Sequence, residues 1–334
     1  FFMKSILNRL IQHEELNKNE AYNVLVEIAQ GKHNQSQISS FLTVYMMRSI
    51  SLNELEGFRQ ALLDLCISVD LSEYETIDLC GTGGDGKDTF NISTLSSFIV
   101  AGSGIKVAKH GNYGVSSGCG SSNVLEFLGV KFSNNENIIK KSIEKSGICF
   151  LHAPLFHPAM KNVAPIRKEL GLKTFFNILG PLVNPSSPKY QLTGVFNLEI
   201  ARLYGYLFQK TNQIFTILYS LDGYDEISLT NQTRVIQKNK ELLINPIDFG
   251  VKKLKSNEII GGNNIKSSAK IFLDVLNGKG SAAQNNVVCA NAGMAICTVK
   301  SLSPKEGFEK AKESLNSGKA KKSFEKLVEI SKNE

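Results

Sequence analysis

The sequence predicts a small N-terminal α-helical domain joined to a larger α/β domain, whose central, mostly parallel sheet is flanked by helices. Three observations predict it. The chain has 334 residues, 42% of them hydrophobic, which is enough for two domains and a substantial core. Its first 70 or so residues carry apolar positions at helical spacing with no strand alternation. From about Glu75 onward, short β-branched runs alternate with helix-length intervals, the pattern of parallel strands with crossover helices.

Four helical stripes come first. Ile6, Leu7, Leu10 and Ile11 make one; Ala21, Leu25, Ile28 and Ala29 make a second, closed by Gly31; Ile38, Phe41, Leu42, Tyr45 and Met46 make a third. Ser51 and Glu54 have capping-box spacing and open the fourth, whose apolar face is Leu55, Phe58, Leu62 and Leu65. Such stripes belong to a core or a subunit interface. Strands are expected over 76–80, 105–109, 148–151, 191–196 and 214–219. The closer-spaced runs 226–230, 234–237 and 241–244 read as an antiparallel excursion, and the tail from Ser267 is helical again.

The formal charge of +7 comes from lysines dispersed along the chain, with no block of five like charges. A mildly basic surface of this kind is compatible with anionic small molecules and with nucleic acid. The six cysteines have no C-x-x-C spacing, so reduced thiols in a cytoplasmic protein are expected rather than disulfides or a metal–sulfur site. No apolar run reaches the ~18 residues of a membrane span, and the N-terminus carries no secretory pattern, so no membrane association is expected.

The stretch from Asp78 to Thr94 raises the first chemical question. Gly81, Gly83 and Gly86 spell G-x-G-x-x-G after a strand, as in a dinucleotide fold, but that fold needs an acid ending the second strand, where Lys109 and His110 stand instead. Gly81 to Lys87 spells G-x-x-x-x-G-K, yet Asp88 replaces the hydroxyl a P-loop needs for Mg²⁺. Asn91, Ile92, Ser93 and Thr94 precede the apolar run 95–100, which marks a helix N-terminus with free N–H groups for an anion. The loop therefore reads as a phosphate cradle of neither familiar class.

Three further polar clusters carry chemistry. Lys109, His110, Gly111 and Asn112 lead into a glycine- and serine-rich stretch through Ser116, Ser117 and Ser121, directly after a predicted strand, where parallel sheets bind ligands. Asp225 and Glu226 follow another strand; in a turn both reach one cation, and Mg²⁺ favours few carboxylates combined with substrate phosphate oxygens. His157 and Arg167 precede an apolar run ending around Pro181, and an arginine facing apolar residues suits a planar carboxylate. No Ser–His–Asp or Cys–His arrangement and no glycosidase carboxylate pair stands out.

Taken together and in this order, Gly81-Thr-Gly-Gly-Asp85, Asn91-Ile-Ser-Thr94, Lys109-His-Gly-Asn112, His157-Pro-Ala-Met-Lys161, Asn177 to Pro185, Asp225-Glu226 and Asn291-Ala-Gly-Met-Ala295 resemble the anthranilate phosphoribosyltransferase family over nearly the whole chain. The resemblance implies a helical domain over 3–72 that dimerises, and an α/β domain over 73–334, with helices near 165–190 packing on the helical part. It implies transfer of the phosphoribosyl group of 5-phosphoribosyl 1-diphosphate (PRPP) to the amine of anthranilate, releasing pyrophosphate, in tryptophan biosynthesis. PRPP would contact Gly81, Gly84, Asp85, Thr89, Asn91, Ile92, Ser93, Thr94, Lys109, His110, Gly111, Asn112, Ser116, Ser117 and Ser121. Anthranilate would contact Gly81, Asn112, His157, Arg167 and Pro181, with Arg167 on its carboxylate.

Two Mg²⁺ ions would be held, one by Ser93 and Glu226 and the other by Asp225 and Glu226. The resemblance assigns no general base, and it implies a homodimer, association with anthranilate synthase, and a cytoplasmic location. The chain departs from the family pattern at Tyr113, where Arg is usual, at Gly118, where Lys is usual, and at Asn123, where Asp is usual. Two alternatives remain at this stage: a pyrimidine nucleoside phosphorylase, which also works at an anomeric carbon, and a non-catalytic nucleic-acid-binding relative, which calls for a concentrated basic stripe and a damaged acidic motif.

Overall fold

The structure is a computed structural model describing residues 2–114 and 119–332. Four helices open the chain: α1 (Phe2–Ile11), α2 (Lys18–Ala29), α3 (Gln35–Met47) and α4 (Leu52–Asp64). The alternating part follows as β1 (Ile77–Gly81), α5 (Ile92–Gly102), β2 (Val107–Gly111), α6 (Ser121–Phe127), α7 (Glu136–Ser146), β3 (Ile148–His152) and the short α8 (Ala153–Phe156). Then come α9 (Ala164–Leu170), α10 (Phe176–Leu179), β4 (Tyr190–Gly194), α11 (Leu198–Gln209), β5 (Ile214–Ser220), β6 (Thr233–Gln237) and β7 (Lys240–Ile244). Four helices finish the fold: α12 (Ile265–Leu276), α13 (Ala282–Lys300), α14 (Pro304–Asn316) and α15 (Lys319–Ser331).

The opening helices start where local chemistry tells them to. Asn17, Asn34 and Ser51 each accept the N–H three residues on, and Glu20, Gln37 and Glu54 return the bond, so α2, α3 and α4 all begin with capping boxes. Gly31 ends α2 in a left-handed conformation, φ 71°. The expected stripes are buried at Ile6, Leu10, Ala21, Leu25, Ile28, Ile38, Phe41, Leu42, Tyr45, Leu55, Phe58 and Leu62. Leu7, Ala29, Met46 and Leu65 are half-buried, while Ile11 faces outward at 63% exposure.

The sheet runs β3-β2-β1-β4-β5-β6-β7. Strands β3 through β5 are parallel, and β6 and β7 add an antiparallel ribbon at one edge. The expected strand over 226–230 does not form. Ile227 and Leu229 mimic strand alternation, but Ser228 and Thr230 are buried as well, and the segment is an irregular turn with Leu229 at φ 59°. Its backbone is held by a side chain: Ile227 N–H donates to Asn291 Oδ1 at 3.0 Å, and Asn291 Nδ2 donates to Ile227 O at 2.8 Å.

Two large apolar clusters cover the sheet. One joins β1, β2 and α5 to α12–α15. The other runs from α1–α4 through Ala159 to Val183 and on to the buried side chains of α11 and β5. Phe175 is its hinge point, stacked on Phe58 at 4.7 Å between ring centroids and edge-on to Phe41 and Tyr45. Among the described residues no helix is long and apolar enough to cross a membrane.

Candidate active site

Strand order reverses between β1 and β4: the chain leaves β1 toward β2 and β3 on one side, and leaves β4 toward β5 on the other. In open α/β sheets such a point leaves a crevice at the carboxyl ends of the strands. Here a cleft of about 360 Å³ opens, walled by the segments after β1, β2 and β5 and by residues from 167 to 181.

The bottom of the cleft depends on two glycines paired across the strands. Gly81 ends β1 opposite Gly194, which ends β4. A Cβ on Gly81 would stand 2.2 Å from Asp225 Oδ2, and one on Gly194 would stand 1.5 Å from the Asp225 carbonyl oxygen. Both positions must lack a side chain so that Asp225 can lie across the strand ends. Asp225 Oδ2 there accepts the Gly83 N–H at 2.6 Å. Glu226 Oε1 accepts the Ser93 N–H at 2.9 Å, so this carboxylate occupies part of the positive N-terminus of α5.

Burial raises the Asp225 carboxyl, and the nearby charge of Asp85 raises it further; Glu226 is raised by burial and then by Asp225 and Asp85. Asp225 and Glu226 thus share a desolvated corner beside Asp85, where both resist ionisation. That is a donor set for a hard cation, since all its ligand atoms are oxygen. Among the described residues no three His, Cys, Asp or Glu side chains form a ready cage. An ion here would complete its shell from a hydroxyl such as that of Ser93, from water, and from ligand oxygens, which fits Mg²⁺.

Beneath the glycine loop lies a buried polar network. Lys109 is only 2% exposed and donates from Nζ to Leu79 O at 2.6 Å. Asp78, fully buried, accepts Asn184 Nδ2 at 2.9 Å and the His110 N–H at 3.2 Å. Burial raises the Asp78 carboxyl and the Lys109 charge offsets this in part.

The other wall carries Arg167. Its guanidinium donates to Asn177 Oδ1 at 3.1 Å and lies over the Phe176 ring at 5.4 Å, while Nε has no partner. Burial lowers its pKa to about 10, and among the described residues no carboxylate pairs with it. A desolvated arginine with open donors is prepared to receive a planar anion. His110 lines the same space with Nδ1 3.1 Å from Gly180 O and Nε2 unpartnered. His157 is not part of the lining; it packs behind His110 at 5.2 Å between rings, with no full partner for either ring nitrogen.

Of the residues singled out in the sequence, the cleft gathers Gly81, Gly84, Asp85, Thr89, Asn91, Ile92, Ser93, Thr94, Lys109, His110, Gly111, Asn112, Ser121, Arg167, Pro181, Asp225 and Glu226. Ser116, Ser117 and Gly118 lie outside the described residues. At the departures from the family pattern, Tyr113 donates its hydroxyl to Glu126 Oε1 at 3.1 Å, and Asn123 Oδ1 accepts the N–H groups of Gly114 and Gly120, both at 2.9 Å. Sequence reasoning missed Gly194 and Lys173, and quoted Asn291 without seeing that it clamps the acidic turn. Lys173 stands on the cleft wall and donates to Gly84 O.

Residues 4–66 match a glycosyl transferase family described by its helical bundle domain, and residues 73–321 match the same family's a/b domain. Together they define a glycosyl transferase built from a helical bundle and an α/β sheet. Among relatives, the anthranilate phosphoribosyltransferase of Flavobacterium johnsoniae is 67% identical over 98% of this chain and 100% of its own length. That of Christiangramia forsetii is 63% identical over 99% and 100%. The Thermus thermophilus enzyme of that name superposes with a TM-score of 0.89 at 31% identity, covering 98% of this chain and 99% of that one. The Saccharomyces cerevisiae enzyme in complex with PRPP and Mg superposes with a TM-score of 0.90 at 28% identity, over 99% and 98%. The chain belongs to the anthranilate phosphoribosyltransferase family.

Proposed function

We infer that the protein transfers the 5-phosphoribosyl group of PRPP to the amine of anthranilate, giving N-(5-phosphoribosyl)anthranilate and pyrophosphate. The observation that carries this reading is the pairing, in one cleft, of an anion-cradling glycine loop with a buried arginine that lacks a carboxylate partner. Departure of pyrophosphate from C1 leaves positive charge on the ribose and negative charge on the leaving group. The glycine loop and the N-terminus of α5 supply N–H donors for the phosphates, and buried Lys109 adds a positive charge beneath them.

Arg167 holds the acceptor's carboxylate against the Phe176 face, with Asn112 and Pro181 bounding the ring. An aromatic amine is neutral at pH 7, so attack at C1 calls for positioning more than for a base. Mg²⁺, when bound, screens the diphosphate and stabilises the charge it gains on leaving. Two ions are proposed, one on Ser93 and Glu226 and the other on Asp225 and Glu226, supported by the all-oxygen donor set and by the Mg named in the yeast complex.

Ser116, Ser117 and Ser121 are assigned to PRPP with the glycine loop, and His157 acts on the acceptor side through His110. The domains are proposed to divide as 3–72 and 73–334, the first making a homodimer contact, and the protein to work in the cytoplasm alongside anthranilate synthase. Nucleoside phosphorolysis is not favoured, because a nucleoside brings no carboxylate to Arg167. A nucleic-acid role is not favoured either, because the acidic turn is intact. The test is anthranilate fluorescence in the presence of PRPP and Mg²⁺. Loss of signal only in the complete mixture is expected, and a flat trace from folded protein, together with phosphate-dependent nucleoside cleavage, would overturn the reading.

A further inference from the structure

Lys173 sits in the turn between α9 and α10, two residues before Phe175, whose ring is locked into the helical-domain core against Phe58. Its ammonium reaches across the cleft and donates to the carbonyl of Gly84, in the glycine loop that follows β1. The contact is made with the stem as well. A Cβ added to Gly84 would lie 3.2 Å from Lys173 Cδ and 3.3 Å from Cε, and Gly84 itself holds φ +77°. The cation also faces the Phe196 ring at 5.9 Å, just beyond β4.

The other cations of the cleft have different partners. Lys109 is bonded to Leu79 O below the loop, Lys87 lies over the Tyr224 ring at 4.9 Å, and Arg167 is bonded to Asn177. Lys173 is therefore a cation resting directly on the phosphate-cradling loop, yet its backbone belongs to the wall that carries Arg167. Among the described residues no carboxylate pairs with it.

We propose that Lys173 is a donor-positioning residue: it clasps the glycine loop to the acceptor wall and brings a positive charge to the diphosphate of PRPP. This rests on the PRPP reading above. Tying the Gly84 carbonyl outward fixes a loop whose glycines otherwise have wide conformational freedom, so less ordering remains for the donor to impose when it binds. The ammonium then faces an incoming polyanion with a charge-assisted bond available to it.

The test is calorimetric binding of PRPP with Mg²⁺ to the full chain and to Lys173→Met, Lys173→Gln and Lys173→Arg, followed by KM for each substrate. Lys173→Met is expected to weaken PRPP about 10-fold at low salt, with the gap to the parent narrowing as salt rises, while the anthranilate KM stays within about twofold. Lys173→Gln should fall between Met and the parent, and Lys173→Arg within about threefold of the parent. PRPP binding by the Met variant within twofold of the parent would overturn the proposal. So would a rise of both KM values together with a fall in Tm, since that marks a merely structural role. A parent that binds PRPP but leaves anthranilate unconsumed would overturn only the acceptor reading, and a parent that binds no PRPP would overturn both.

Discussion

Arg167 loses nothing of the fold's core when cut to alanine, because its guanidinium contacts one amide oxygen and one ring face. In the proposed reading, what disappears is a charge-assisted hold on the acceptor's carboxylate, worth about 1.5–3 kcal/mol. Arg167→Ala is therefore expected to raise the KM for anthranilate roughly 10- to 100-fold, the same energy expressed as a ratio, while the KM for PRPP changes little. Steady-state kinetics with each substrate varied in turn checks this, and equal effects on both would remove Arg167 from the acceptor. The acidic turn behaves differently. Asp225 and Glu226 are raised by burial and by Asp85, so their charges oppose folding when no cation is present. Asp225→Asn with Glu226→Gln should abolish Mg²⁺-dependent turnover and yet raise the Tm measured in chelator, by the equivalent of about 1 kcal/mol. Unchanged turnover, or a lower Tm in chelator, would contradict the assignment.

At the level of elements, α4 shows how a local signal gains a distant role. Ser51 and Glu54 form the capping box that their spacing predicts, but Glu54 is also fully buried. Burial alone would raise its carboxyl; Arg48, the N–H groups of Leu16 and Ser51, and the Tyr45 hydroxyl together hold it below the usual range. Glu54→Gln keeps the volume and strands Arg48 without its anion, so it is expected to cost about 3–5 kcal/mol of stability, readable as a lower denaturant midpoint at unchanged slope. The same contrast separates what the sequence makes legible from what it hides. The glycine loop, the α5 N-terminus and the acidic pair are each contiguous in sequence, so motif spacing and their order along the chain expose them together. Gly194 is needed only because register places it opposite Gly81 beneath Asp225, and Lys173 matters only because α9 and α10 swing it onto Gly84. Neither fact has a local signature. Segment 226–230 misleads in the opposite way, since its alternating Ile227 and Leu229 are buried by a turn tied to Asn291 rather than by a ladder.

For the whole molecule, the helical bundle and one face of the sheet share a single apolar cluster, so protonation of a buried group between them is felt as global stability. Three buried histidines of the α/β part have lowered pKa values: burial lowers His110 to about 3, and His152 and His157 to about 4. Each is neutral in the folded protein and takes up a proton near pH 6.5 once unfolded. The unfolded chain therefore binds more protons, and stability falls as pH drops from about 6.5 toward about 4. The raised carboxyls of Asp78, Asp225 and Glu226 act in the opposite sense, because there the folded state holds the extra proton. The net slope mixes the two, and one histidine has to be isolated by difference. His157 serves, since neither ring nitrogen has a full partner to lose. A shift from 6.5 to about 4 corresponds to roughly 1 kcal/mol more destabilisation at pH 5.5 than at pH 7.5. His157→Gln should shrink the difference in unfolding free energy between those two pH values by about that amount, whatever it does to stability at either one. Parallel denaturant titrations of parent and variant measure it, and an unchanged difference would mean that His157 gains its proton as easily inside the fold as outside it.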